Sequence, residues 1–144
     1  MKIKIQKSNF CPNHELLLFS KRNRSGSIVS FLGKVREENN NKKVISIDIS
    51  LYKKMAIFQL NKIVNNILKI RKVDDYLIIH RYGNLLPNDN IVFIIVATSH
   101  RKEGFFFLEK VINFLKIKVT FWKKEHYLKS SEWVKQKSSD TVKL

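Results

Sequence analysis

Ile91-Val92-Phe93-Ile94-Ile95-Val96-Ala97 is a continuous apolar run in a chain of 144 residues. A short run without polar residues is typical of a strand that is covered on both faces. It is far too short to cross a bilayer as a helix. We therefore predict that this segment is the buried central strand of a sheet.

The segments that follow this run are predicted to form a helix and then a strand. Lys102–Leu115 carries an apolar stripe at helical spacing, formed by Phe107, Leu108, Val111, Ile112 and Leu115. Lys118–Tyr127 is predicted to be the last strand, and Ser130–Val134 a short helix. The residues beyond Lys135 are polar and are expected to fray.

The segments before the run complete the predicted fold. A second long helix is predicted over Lys54–Ile70, where apolar residues again recur three and four apart. The polar run at 37–43 is either a plain hairpin connection or a mobile loop that gates a substrate. The other predicted elements are a short helix at Pro12–Ser20 and strands at Lys2–Gln6, Ser27–Val35, Val44–Tyr52 and Asp74–Tyr82. Two long helices among about six mostly antiparallel strands predict a single α+β domain over residues 1–144.

Composition narrows the class of partner. Lysine and arginine number 28 against 12 acidic residues, a formal net charge of +16. Such a charge suits nucleic acid, but the lysines are spread along the whole chain, so an anionic ligand or an acidic protein partner fits equally well. Cys11 is the only cysteine, which excludes an internal disulfide and a multi-cysteine metal site. With no secretory signal at Met1–Lys4, a cytoplasmic location is expected.

Several catalytic classes lack their sequence signatures. The four glycines are not clustered into a phosphate-binding loop, and no serine lies in a nucleophile elbow. No two histidines stand at metal-ligand spacing with a carboxylate, so no metal site is expected. An active site in this chain would therefore use lysine, arginine and histidine around an anionic substrate.

Three groups of cationic residues are the candidates. Lys116 closes the helix predicted at Lys102–Leu115, and Lys123 follows seven positions later, so both can point into one pocket if the strand folds back along the helix; the alternative is that both are solvated. Arg36 ends a strand and is either an anion-binding fork or a surface residue. His100-Arg101 stands at a helix start, where it is either an anion clamp or a helix-entry element.

Four motifs in order resemble those of the large, catalytic subunit of molybdopterin synthase. They are Phe31-Leu32-Gly33-Lys34-Val35-Arg36; the His80-Arg81 block with Gly83, Leu85, Pro87 and Asp89; Ser99-His100-Arg101; and Leu115-Lys116 through Phe121-Trp122-Lys123-Lys124-Glu125. The resemblance covers about residues 27–134.

The resemblance implies an α/β hammerhead-type fold and a homodimer within a 2:2 heterotetramer. The implied partner is a small ubiquitin-like sulfur-carrier subunit ending in Gly-Gly. Its C-terminal thiocarboxylate supplies the sulfur for two transfers to cyclic pyranopterin monophosphate, which form the dithiolene of molybdopterin. No bound cofactor, nucleic acid or membrane is expected. By the same resemblance Lys116 and Lys123 are catalytic, and the substrate pocket is formed by those two with Phe31, Lys34, Val35, Arg36, His100, Arg101, Lys124 and Glu125.

The sequence also departs from the family pattern. Ser50 and Leu51 replace a Glu-His pair, Ile112 replaces a methionine, and Lys137 replaces an arginine that would contact an anion across the dimer. Two other functions compete with the enzyme: a nucleic-acid-binding domain, and a relative that keeps the carrier-docking surface without activity. Phe105–Phe107 and Phe121-Trp122 fall in apolar patterns and are expected in the core, which argues against nucleic-acid stacking.

Overall fold

A four-stranded sheet forms the centre of the protein in the computed structural model, which describes residues 1–119 and 121–135. Its strand order is β1-β5-β7-β2, with β1 at Lys2–Gln6, β2 at Ser27–Lys34, β5 at Asp75–Arg81 and β7 at Asn90–Thr98. β1 is parallel to β5, and the other pairs are antiparallel. β7 contains the apolar run and is an interior strand, as predicted.

Helices cover both faces of this sheet, which explains why β7 shows no polar alternation. On one face α2 (Lys53–Ile70) and α3 (Arg101–Ile117) pack over Ile78, Ile94 and Val96. On the other face α1 (Pro12–Arg22) contributes Phe19, which packs with Leu77, Ile79, Phe93 and Ile95. Successive residues of β7 therefore point alternately into two separate cores, so the residues on both faces of the strand must be apolar.

A second sheet lies beside the first and carries part of the candidate site. Its order is β3-β4-β8-β9, with β3 at Glu38–Asn39, β4 at Lys42–Leu51, β8 at Phe121–Tyr127 and β9 at Ser131–Trp133; β6 (Gly83–Leu85) also pairs with β4. Its core joins Val35, Val44, Ile47, Ile49 and Leu85. Phe121 packs against both this core and the core beneath α2 and α3, so it marks the junction between the sheets.

The polar run at 37–43 folds as a hairpin between β3 and β4. Asn40 and Asn41 both have positive φ, at 50° and 61°. Two consecutive left-handed residues fit a tight two-residue turn, and asparagine tolerates that conformation better than most residues. The run therefore forms a hairpin, but one between β3 and β4 and not between β2 and β4, because β2 pairs with β7.

Three local predictions were wrong. Ser130–Val134 is not a helix: Ser131–Trp133 forms β9 and pairs with Lys124–His126 of β8. β6 lies inside a segment predicted to be only a turn. Phe105 and Trp122, expected in the core, are 59% and 50% exposed, because each points away from its apolar neighbours on α3 and β8. Within residues 1–119 and 121–135, no helix is long and apolar enough to cross a membrane.

Candidate functional site

The two candidate lysines lie on either side of the junction between the sheets. Lys116 is exposed in the last turn of α3. Lys123 is half-buried in β8, the strand that follows α3. β8 pairs with β4, and Lys123 lies opposite Ile49 in this pairing. The chain between them turns back through Val119, whose N–H donates to the carbonyl of Phe114 at 3.2 Å. The strand therefore joins the second sheet and does not run along the helix.

Arg36 is held by a buried carboxylate. Its Nε and one Nη each lie 2.9 Å from Oε1 of Glu125, which is only 2% exposed. The other oxygen of Glu125 accepts from Asn39 Nδ2 at 2.9 Å and from the Tyr127 hydroxyl at 2.5 Å. Both oxygens of Glu125 therefore accept hydrogen bonds. Because the carboxylate is buried and held by these donors, it fixes the orientation of the Arg36 guanidinium.

The partners of Glu125 keep it ionised. Burial alone would raise the pKa of this carboxyl, but the hydrogen bonds from Tyr127 and Asn39 and the guanidinium of Arg36 bring its pKa below the ordinary value. The Arg36 side chain remains 39% exposed. An arginine has five N–H groups in a planar fork, so those not directed at Glu125 can still bind an anion. Arg36 lines a cavity of about 620 Å³ together with Trp133 and Lys135.

His100 and Arg101 stand at the other end of α3. His100 is the N-cap residue, Arg101 begins the helix, and both are exposed. The Thr98 hydroxyl donates to the carbonyl of His100 at 2.8 Å and fixes the backbone there. Both residues line an open cavity of about 630 Å³ together with Phe105 and Phe106. The backbone N–H groups and the positive end of the helix dipole favour an anion at this position.

The two groups of cations do not meet within one chain. α3 follows β7 and runs back over it: Gly104 contacts Thr98 and Val29, so the helix begins at that end of the sheet. With a rise of 1.5 Å per residue, His100 and Lys116 are about 24 Å apart along the helix. Arg36 and His100 also line different cavities. The expected convergence of Arg36, His100 and Arg101 therefore requires a second copy of the chain.

The other residues of the β2 motif have distinct environments. Phe31 is 36% exposed and lies beside Gly33, whose position allows close contact with Val92. Lys34 is exposed. Val35 is 3% exposed, its N–H donates to the carbonyl of Asp89, and its own carbonyl accepts from the N–H of Asn88, each at 2.9 Å. Val35 thus fixes the strand end from which Arg36 projects.

Lys124 and three residues absent from the predicted site complete the description. Lys124 Nζ lies 5.5 Å from the ring centroid of Trp133 on β9. Tyr127 has a sequence signal, since it follows Glu125 by two positions and so shares its face of β8. Asn39 has none, because its contact with Glu125 joins residues 86 apart. His80, named from the sequence only as part of a family motif, stacks on Phe121 with ring centroids 4.0 Å apart.

The remaining sequence features are placed as follows. Ile112 is partly buried against the α2–α3 core, and Ser50 pairs with Trp122 in the β4–β8 ladder. Lys137 lies outside the described residues. Across residues 1–119 and 121–135, no group of three or more His, Cys, Asp or Glu side chains is arranged to hold a metal ion.

Fold and site together define an α+β protein with preorganised cations suited to an anionic ligand. The chain belongs to the MoaE protein family, whose model matches residues 5–118. Lys116 lies within that match, and Lys123, Lys124 and Glu125 lie beyond it.

Full-length relatives agree with this assignment. A Ralstonia nicotianae protein named molybdopterin synthase catalytic subunit is 34% identical over 139 residues, which cover 96% of this chain and 79% of the relative. The crystal structure of molybdopterin synthase from Staphylococcus aureus has a TM-score of 0.81 at 29% identity, and the match covers 94% of this chain and 98% of that one. A protein–protein complex of subunits 1 and 2 of molybdopterin-converting factor from Helicobacter pylori shares the fold, with a TM-score of 0.78 at 18% identity over 94% of this chain and 92% of that one.

Proposed function

We propose that this chain is the catalytic subunit of a molybdopterin synthase. It transfers sulfur from the C-terminal thiocarboxylate of a small carrier subunit to cyclic pyranopterin monophosphate, and two transfers build the dithiolene of molybdopterin. The observation that carries the proposal is the Arg36 guanidinium, held by a fully bonded Glu125 carboxylate on β8, the strand that also carries Lys123. Such an arrangement suits a phosphate-bearing substrate, because the donors are oriented before the ligand arrives.

The residues of the site have separate roles in this proposal. Arg36 and Lys34 bind the anionic substrate, while Phe31 and Val35 shape the strand that presents them. Lys116 acts as a general acid or base, or holds the terminal carbonyl of the carrier, and Lys123 and Lys124 place positive charge beside it. Glu125 acts through Arg36. The sulfur arrives on the carrier, so the chemistry requires no cysteine from this chain and no bound cofactor.

A homodimer completes the site. Because His100 and Arg101 lie about 24 Å along α3 from Lys116, they serve a pocket of the partner copy, where they bind an anionic group of the substrate. Exposed apolar side chains offer surface for such contacts, among them Phe58 at 64%, Phe105 at 59% and Trp122 at 50% exposure.

The carrier subunit is the second proposed partner. The Helicobacter pylori fold neighbour is a complex of two subunits of molybdopterin-converting factor, so this fold is one that binds a second subunit. We infer a small ubiquitin-like carrier ending in Gly-Gly, one on each chain of the dimer, in a 2:2 assembly. The cytoplasm is the proposed location, where the carrier would be loaded.

Single turnover with a pre-loaded carrier tests the function. The purified chain is mixed with thiocarboxylated carrier and cyclic pyranopterin monophosphate, and the formation of dithiolene is followed by mass spectrometry. The wild-type chain should convert the precursor, Lys116→Ala should lose about 10²- to 10⁴-fold in rate, and Lys62→Ala, at an exposed lysine of α2, should match the wild type. A wild-type chain that binds neither the carrier nor the precursor would contradict the proposal.

A further inference from the structure

His80 is a buried histidine whose hydrogen-bonding state is fixed by its surroundings. It lies in β5 and is 2% exposed. Its Nδ1 is 2.8 Å from the backbone carbonyl of Arg81. A carbonyl oxygen only accepts, so Nδ1 must carry the hydrogen, and in a neutral ring Nε2 is then an acceptor. Burial is the main cause that lowers the pKa of His80 to about 3, so the ring is neutral at physiological pH.

The ring lies where Lys123 leaves its strand. The imidazole stacks on Phe121 with centroids 4.0 Å apart and planes 12° apart. Phe121 and Lys123 are two positions apart in β8, so their side chains emerge on the same face of the strand. The positive charge of Lys123 is the second cause of the lowered pKa of His80, which places the ammonium group within electrostatic reach of the ring.

We propose that His80 is a positioning residue for sulfur transfer, whose Nε2 accepts a hydrogen bond from the ammonium group of Lys123 and directs that group into the pocket. This inference rests on the proposed function, in which Lys123 belongs to the active site. It goes beyond it because it assigns a role to a buried residue outside the predicted site.

The chemistry of the acceptor explains why a histidine suits this position. A lysine side chain has four rotatable bonds and about 2 kcal/mol of rotamer entropy, so an unanchored ammonium is poorly directed. A carboxylate would anchor it but would cancel the charge that attracts an anionic substrate. A neutral imidazole fixes the direction of the ammonium group and leaves its full charge in place. The hydrogen bond to Nε2 lies in the plane of the ring, so a face of the ring is still able to pack on Phe121.

Two substitutions at His80 separate positioning from packing. Glutamine can place its amide oxygen near the position of Nε2, whereas asparagine reaches only as far as Nδ1. We expect His80→Asn to slow single turnover by roughly 10- to 100-fold with carrier binding unchanged, because a small displacement of a reacting group is costly. His80→Gln should recover most of that loss. His14→Asn, at an exposed histidine of α1, is the matched control and should match the wild type.

A spectroscopic measurement covers the case in which the His80 variants fail to fold. In the chain with ¹⁵N-labelled histidine, Lys123→Met should shift the Nε2 resonance of His80 and leave Nδ1 protonated, while Lys62→Met should change neither. An Nε2 resonance that ignores Lys123→Met, or equal rates for His80→Asn and the wild type, would overturn the positioning role. If Nε2 responds but the wild-type chain does not convert the precursor, the contact is upheld and the proposed function is the part that fails.

Discussion

Complementation between two inactive variants is the sharpest test of the site described above. His100 caps the start of α3 and Lys116 lies in its last turn. The helical rise places them about 24 Å apart along one chain. If one pocket uses both residues, it must take them from different chains of a dimer. Substituting each in a separate chain therefore damages different halves of the two pockets.

The expected magnitudes follow from the symmetry of the dimer. Lys116→Ala and His100→Ala homodimers each have two damaged pockets. A heterodimer of the two variants has one pocket that combines both substitutions and one that contains neither. It should therefore regain about half of the wild-type rate per dimer, as a two-fold arrangement with two independent sites requires. The parent homodimers set the baseline, with Lys116→Ala reduced about 10²- to 10⁴-fold.

The assay needs heterodimers free of their parents. The two variants are co-expressed with different affinity tags, purified over both resins and tested in single turnover with thiocarboxylated carrier. A heterodimer of Lys116→Ala and Lys123→Ala is the control, because both substitutions fall in the half-site of one chain and leave no intact pocket. A Lys116/His100 heterodimer that stays at the parental baseline would refute the shared pocket.

Three further predictions follow. Lys116→Arg should lose about as much activity as Lys116→Ala, roughly 10²- to 10⁴-fold in single turnover, because arginine keeps the charge but does not release a proton; near-normal turnover would leave Lys116 as an electrostatic anchor only. Gly33→Ala should lower the free energy of unfolding in urea by about 1–3 kcal/mol, because the added Cβ would lie 2.6 Å from Val92 Cγ1; an unchanged midpoint would show that β2 and β7 can separate there. Although burial opposes it, the donors around Asp75 lower the pKa of this carboxyl from 3.8 to about 2, so its stabilising contribution is complete above pH 4 and is lost as the pH falls towards 2. The loss should be about 2 kcal/mol in acid unfolding and absent in Asp75→Asn.

Local patterns in the sequence were sufficient for the main elements of the fold. The apolar run at 91–97 identified an interior strand, and the periodicity at 54–70 identified α2, because each pattern reflects the faces that an element must bury. The prediction of a helix at Ser130–Val134, where the structure has β9, was wrong for the converse reason. Ser131–Trp133 is exposed along its length and has no apolar pattern, and it becomes a strand only by pairing with β8. Such pairing depends on a partner strand, which a local pattern does not show.

The candidate site divides in the same way. The cationic residues could be named from their motifs, but their partners could not. Glu125 and Arg36 are 89 positions apart, and their ion pair forms only once β8 has paired with β4. Similarly, nothing near His80 in the sequence indicates Phe121, which joins it only when the two sheets meet. Sequence therefore identified the groups that carry charge, and the fold decided which of them are oriented by neighbours.

The contact of Glu125 with Arg36 and the proposed contact of His80 with Lys123 differ in how much positive charge they leave for a substrate. Glu125 holds Arg36 with a full negative charge, so this pair supplies direction and donors but little net attraction for an anion. His80 is neutral, so a lysine held by it keeps its whole charge. Net attraction for a phosphate-bearing substrate must then come from the other cations assigned to the site, which are Lys34, Lys116, Lys123, Lys124 and the His100-Arg101 end of a second chain. Since screening weakens exposed distant charges beyond about 10 Å at 0.1 M salt, the remaining surface lysines add little to that attraction. Substrate affinity should therefore depend on these few positions and not on the overall charge of +16.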